Sequence, residues 1–166
     1  MGQIVWGENV MRNKERSELL KEVFSNVNSW LNFAEAKHAA NIAFVVACLA
    51  MIISTDTMDI LTCSICILFI CSGGCSLLSF RPKVAKSNNL LYFEKIKNYS
   101  KQEYLNQLKQ NYFQNNSDIG DNYLSDLAEE IVVNAEITSQ KYKYFRIAIR
   151  FDLFAFALLI IYLIVA

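Results

Sequence analysis

One proline, five glycines, one histidine and no net charge are what this sequence of 166 residues has least of. Each shortage excludes something. With His38 as the single histidine, no histidine-based metal cluster can form, so no metal is expected. A formal net charge of zero supplies no general positive field, so nucleic acid is not an expected partner. The five glycines spell neither a G-x-G-x-x-G nor a G-x-x-x-x-G-K-[ST] phosphate loop. Paired carboxylates are missing too, because Glu129 and Glu130 are adjacent and diverge by about 100° on a helix. No catalytic residue, no cofactor and no enzymatic activity are therefore expected.

Hydrophobic residues make up 54% of the chain, which excludes a disordered class. That average lies only slightly above the ~45–50% of soluble domains, so their distribution has to decide. Residues 60–80 contain no charge in a run that spans roughly 31 Å as a helix, against a hydrocarbon core of ~30 Å. Residues 39–53 form a shorter run, roughly 22 Å, which spans by borrowing Ser54 and Thr55 at one end and residues 34–38 at the other. A third run covers 151–166, its helix beginning near Ile147 so that Arg150 and Asp152 lie near the interface. A signal peptide would put its apolar core near the N-terminus, whereas the first thirty-eight residues are polar or amphipathic.

Basic residues set an orientation. Five precede the first run, eleven lie between Arg81 and Arg150, and the 54–59 connection has two aspartates and no basic residue. The positive-inside rule then places the N-terminus and residues 81–146 in the cytoplasm, with the 54–59 hairpin and the C-terminus outside. Cys48, Cys63, Cys66, Cys71 and Cys75 all fall in the first two runs. Cys63-x-x-Cys66 has no second pair to complete a zinc site, and a redox pair needs an exposed electropositive setting. These cysteines read as small packing residues, and Ser72, Gly73, Gly74 and Ser76 extend a stretch that favours close helix contact.

Leu19, Leu20, Val23, Phe24, Val27, Trp30, Leu31 and Ala34 trace one amphipathic stripe, and its mixed-sign polar face favours a bundle core over a lipid surface. A short helix is expected over 90–98. Ser100 and Glu103 form a capping box opening a helix with the stripe Tyr104, Leu105, Leu108 and Tyr112. Residues 115–120 are a turn-rich break. From Asp121 onward neither glycine nor proline occurs, which predicts one helix running into the third membrane run. No segment shows sustained strand alternation. The expected fold is an all-α membrane protein: three transmembrane helices and a cytoplasmic helical bundle formed by helical extensions of the first and third. Its parts are an N-terminal cytoplasmic amphipathic helix (1–38), a transmembrane hairpin (39–80), a cytoplasmic helical region (81–146) and a C-terminal transmembrane helix (147–166).

Two polar groups stand out by position. Glu35, Lys37 and His38 lead into the first membrane run, with Asn41 one turn on and on the face of Lys37. They serve either as an interfacial anchor or as a sensing and gating layer. Lys141, Lys143, Tyr144, Arg146 and Arg150 form a basic, aromatic-interleaved stretch, which is either the basic flank of a membrane helix or a place for a nucleotide's phosphate and base. Arg150 and Asp152 are two apart, so each is free to meet a group from another helix or subunit, and with Asn41 they are candidates to face a shared opening.

Ala34-Glu-Ala-Lys-His38, Leu91-Tyr-Phe-Glu-Lys-Ile96, Ser100–Leu108 (SKQEYLNQL) and Lys141-Tyr-Lys-Tyr-Phe-Arg146 occur in an order and spacing that carry a resemblance over about 18–166. In them the chain resembles the transmembrane effectors of bacterial Pycsar antiphage systems. The resemblance implies a multi-pass inner-membrane effector answering a neighbouring cyclase that makes a cyclic pyrimidine mononucleotide, cyclic UMP or cyclic CMP. The effector, acting as a homo-oligomer, would impair the membrane and cause abortive infection. Glu35, Lys37, Phe93, Lys141 and Arg146 align with the family pattern, and together with Tyr144 they are the candidate ligand residues. Asn41, Gly73, Gly74, Arg150 and Asp152 are the candidates for gating or helix contact. The alternatives are an effector answering a cyclic oligonucleotide and a non-signalling membrane scaffold subunit.

Overall fold

The computed structural model describes residues 2–54, 59–82, 89–114 and 118–165. Its elements are helices α1 (Gly2–Ile53), α2 (Ile60–Ser79), α3 (Phe93–Ile96) and α4 (Lys101–Tyr112), strands β1 (Phe113–Gln114) and β2 (Asp118–Ile119), and helix α5 (Asp121–Val165). Helices α1, α2 and α5 each hold a stretch long and apolar enough to cross a membrane. The protein is an all-α membrane protein whose only described strands are that one pair. In it Phe113 faces Ile119 and Gln114 faces Asp118, antiparallel, so that β2 falls inside the 115–120 segment expected to be a turn-rich break. Two residues per strand are too few to show the alternation that marks a strand in a sequence.

The chain divides into two compact units, Met1–Ser29 with Val84–Glu136 and Trp30–Lys83 with Ile137–Ala166. The first unit packs Leu90, Tyr92, Tyr112, Leu124 and Leu127 into its interior. Asp126 of α5 organises it. Its Oδ2 accepts from Tyr112 Oη (2.5 Å) and from the Leu90 amide (3.3 Å), while its carbonyl accepts from Asn89 Nδ2 (2.7 Å). Tyr104 Oη donates to the Leu90 carbonyl at 3.0 Å, and Asn134 Nδ2 of α5 donates to Asn28 Oδ1 of α1 at 2.9 Å.

Two sequence expectations are corrected here. The helix expected over 90–98 is the single turn Phe93–Ile96. Asn89 Oδ1 accepts the Leu91 amide and Asn89 O the Tyr92 amide, so the segment closes as a turn before the helix begins. The capping box before α4, by contrast, is present as expected: Ser100 Oγ accepts the Glu103 amide at 3.3 Å and Glu103 Oε2 the Ser100 amide at 2.9 Å. In the α1 stripe, Leu19 is 60% exposed and Trp30 58% exposed. The side in contact runs instead through Ser17, Leu20, Phe24, Val27, Leu31 and Ala34, a regular alternation of three- and four-residue steps rotated slightly from the stripe.

The second unit is a bundle of α1, α2 and α5 whose inward positions keep that alternation. On α1 they are Ala34, His38, Asn41, Val45, Cys48 and Ile52; on α2 Thr62, Ile65, Phe69, Ser72, Ser76 and Ser79; on α5 Thr138, Lys141, Phe145, Ala148, Asp152 and Ala155. A seven-residue repeat holds one face of each helix toward its neighbours. Polarity divides the seam: Val45, Cys48, Ile52, Ile65, Phe69 and Ala155 form an apolar core, and the remaining inward positions toward Ser79 are largely polar. Asp59 Oδ1 caps the opposite end of α2 by accepting the Thr62 amide at 2.7 Å.

Candidate functional site

Lys141 closes the end of the bundle where α2 terminates. It is 8% exposed, and its ammonium donates to the Ser79 carbonyl (2.9 Å), meets Glu35 Oε1 (3.2 Å) and lies 5.4 Å from the centre of the Phe80 ring. One cation thus satisfies a carbonyl at the C-terminus of α2, a carboxylate of α1 and an aromatic face. His38 is fully buried beside it, and its Nε2–H donates to the Lys141 carbonyl at 2.9 Å. Phe145 and Phe80 present their rings edge-on to the imidazole, 5.5 and 6.1 Å away.

Against this cluster lies a cavity of about 580 Å³ lined by Leu31, Glu35, Ser79, Phe80, Arg81, Gln140, Lys141 and Tyr144, among others. It falls in the size range of small-ligand pockets. Two cations, one carboxylate, one amide and two aromatic rings converge there. A second, more open groove of about 490 Å³ runs between α1 and α5 and is lined by Lys37, Asn41, Phe44, Phe145, Asp152 and Phe156 with apolar neighbours. Asn41 Nδ2 donates to Ser72 Oγ (3.0 Å) and Ser76 Oγ (3.1 Å). Asp152 lies close to Ser72 and Asn41. In the first unit a cavity of about 310 Å³ is lined by Leu91, Tyr104, Leu108, Tyr112, Phe113 and Tyr123. Burial raises the phenol pKa of Tyr104 and Tyr112 above the ordinary range, the latter further because it donates to Asp126. Among the described residues no group of three His, Cys, Asp or Glu is placed to hold a metal ion.

A family model, the Pycsar effector protein domain, matches residues 19–166. The chain belongs to the Pycsar effector family. No curated protein and no solved structure matches it. A Pycsar effector acts in antiphage defence at a membrane, in a system that includes a cyclase, and its domain is not a known enzyme family.

The family's fold distributes the residues singled out from the sequence among separate places. Glu35, Lys141 and Tyr144 line the larger cavity of this Pycsar effector, while Lys37, Asn41 and Asp152 line the groove. Arg146 lies about 200° around α5 from Tyr144 and is exposed, outside both linings. Phe93 belongs to the first unit, 62% exposed, with its ring 4.9 Å from that of Tyr92. Arg150 is exposed and does not line the groove that Asn41 and Asp152 share. A Cβ on Gly73 would meet Val45 Cγ1 at 3.3 Å, whereas one on Gly74 would meet nothing within 4 Å. Sequence reasoning passed over Arg81, Gln140 and Ser79 as site residues. Pro82, the single proline, follows Arg81 just past the end of α2, and a helix end aimed at a lysine of another helix is a natural place for a polar site.

Proposed function

We propose that this effector is activated by a cyclic pyrimidine mononucleotide, cyclic UMP or cyclic CMP, bound in the cavity at the Ser79 end of the bundle, and that activation impairs the inner membrane and aborts infection. The observation that carries this reading is the convergence of Arg81, Lys141, Tyr144, Gln140 and Glu35 on one cavity of about 580 Å³. A cyclic phosphate suits the two cations, a pyrimidine face suits the Tyr144 ring, and Gln140 and Glu35 offer both donor and acceptor groups to a base edge. A phosphate drawing on the Lys141 ammonium competes with Glu35 and with the Ser79 carbonyl, the contacts by which Lys141 ties α5 to α1 and α2. Binding and loosening of the bundle end are then one event, and the favoured arrangement of the membrane helices shifts by the ligand's differential affinity. The cavity faces the cytoplasm in this reading, with the N-terminus inside and the C-terminus outside.

Calorimetric titration of the purified full chain with cyclic UMP, cyclic CMP and a cyclic dinucleotide tests the ligand. Saturable binding of one cyclic pyrimidine mononucleotide, weakened at least tenfold in Arg81→Ala, is the expected result. Binding of the dinucleotide alone would replace this reading with that of an oligonucleotide effector. A membrane-potential dye followed in cells carrying the chain with its cyclase tests the outcome, and an unchanged potential with the nucleotide present sinks the membrane step.

A further inference from the structure

Asp152 is 6% exposed inside a membrane helix; Ser72 and Asn41 are its close polar neighbours, and no ion pair among the described residues reaches its carboxylate. Carboxylates within membrane helices are rare and find a partner or mark a functional interior. Those neighbours are neutral: Asn41 Nδ2 donates to Ser72 Oγ and Ser76 Oγ, whose hydroxyls can still donate to the carboxylate but bring it no counter-charge. Lys37 lines the same groove, but its ammonium is held by aromatic rings, 4.4 Å from the centre of Phe33, 5.1 Å from Tyr142 and 5.5 Å from Phe145.

A cation at the right depth exists on the opposite face of the same helix. Arg150 is exposed, about 3 Å along the axis from Asp152 and about 200° around it. Helix α5 therefore carries an outward cation and an inward, groove-facing anion at one level. We propose that Arg150 of one copy of this chain inserts into the α1–α5 groove of a second copy and completes its Asp152 site. Charge complementarity chooses this occupant over an acyl tail, which fills the apolar rim of Phe44, Leu153 and Phe156 but brings no donor for the carboxylate. Each copy offers its Arg150 face to one neighbour and its groove to another, so the contact is head-to-tail and repeats around a ring or along a row. This inference is independent of which nucleotide binds, and it concerns the resting protein.

The test uses the full chain reconstituted in lipid vesicles without nucleotide, treated with an amine-reactive crosslinker. Wild type gives a ladder above the dimer. Arg150→Gln and Asp152→Asn each reduce that ladder at least tenfold, and the exchanged Arg150→Asp/Asp152→Arg chain restores it. Reconstituting Arg150→Gln together with Asp152→Asn, under different tags, gives mixed dimers and nothing larger, because each retains one half of the contact. That result also requires both variants to be folded. A wild-type chain that stays monomeric, or a ladder that survives Arg150→Gln because that arginine serves lipid headgroups, overturns the proposal. So does a ladder lost in the single variants that neither the exchange nor the mixture recovers. Since no nucleotide is present, failure here and failure of ligand binding are read separately.

Discussion

Lys141 and Gly73 show how much a single position decides in this bundle. Lys141 is buried with its ammonium satisfied by a carbonyl, a carboxylate and a ring, whereas its partner Glu35 keeps 45% of its side chain exposed. Removing the buried partner therefore costs more than removing the exposed one. Lys141→Met should destabilise the purified chain by about 2 kcal/mol, the scale of a hydrogen bond to a charged group. Glu35→Gln should cost under about 1 kcal/mol, as for a partly exposed ion pair. Thermal unfolding in detergent compares them, and equal losses would show that Glu35, not the Ser79 carbonyl, dominates the contact. Neighbouring glycines separate as cleanly. Gly73→Val has to displace Val45, which is 4% exposed, and should cost about 1–3 kcal/mol by overpacking. Gly74→Val meets open space within 4 Å and should leave the unfolding midpoint within about 2 °C of wild type. A matching loss in both variants would mean that helix propensity rather than contact sets the cost.

Among the helices, α4 and the first half of α5 carry two glutamates with opposite responses to pH. Glu103 closes the capping box, and hydrogen bonding with the Ser100 side chain first, then with the Ser100 amide, holds its carboxyl below the usual carboxylate range. Its folded pKa is depressed, so its contribution is present above the unfolded value of about 4.5 and is lost as pH falls through the folded one. Glu130 is the reverse case. Burial first, then the charges of Glu129 and Asp126, raise its carboxyl pKa. The folded chain holds that proton more tightly than the unfolded chain, so stability declines as pH rises from about 4.5 through the raised value. Glu130→Gln should unfold at a higher temperature than wild type at pH 8, and the difference should shrink to nothing as pH is lowered toward 4. A constant difference across that range would place the effect in packing instead of protonation.

Legibility from the sequence also varies by element. A long run without glycine or proline announces α5, and Ser100 with Glu103 announces α4, because both are local signals that neighbours do not override. The one-turn α3 is not legible, since Asn89 diverts the backbone through side-chain bonds no periodicity reveals. The candidate site was visible in pieces. Glu35, Lys141 and Tyr144 stood out as charges and aromatics near membrane ends, yet Arg81 and Gln140 join them only when the end of α2 packs beside α5. Lys37 and Arg146 differ from their neighbours by helical phase, and phase relative to a partner helix is set by packing.

For the molecule as a whole, charge placement carries the expected direction of membrane crossing. Five basic residues precede the first membrane run and eleven lie between Arg81 and Arg150, while the 54–59 connection has none. Reversing the orientation would carry residues 81–146 and their ten basic side chains across the bilayer, against a bias in lysine and arginine that governs short connections. Alkaline phosphatase fused after Ala166 should accordingly be active and green fluorescent protein fused there dark, with the fluorescent protein bright when fused before Met1. Replacing Thr55 and Thr57 with arginine places two cations in the outer connection and should lower phosphatase activity by frustrating that topology. The outcome bears directly on the proposed function, because the proposed ligand is a nucleotide made inside the cell and the proposed cavity is lined by Arg81 and Lys141. A dark phosphatase and a bright fluorescent C-terminus would turn that cavity outward, and a cytoplasmic nucleotide could no longer be its ligand.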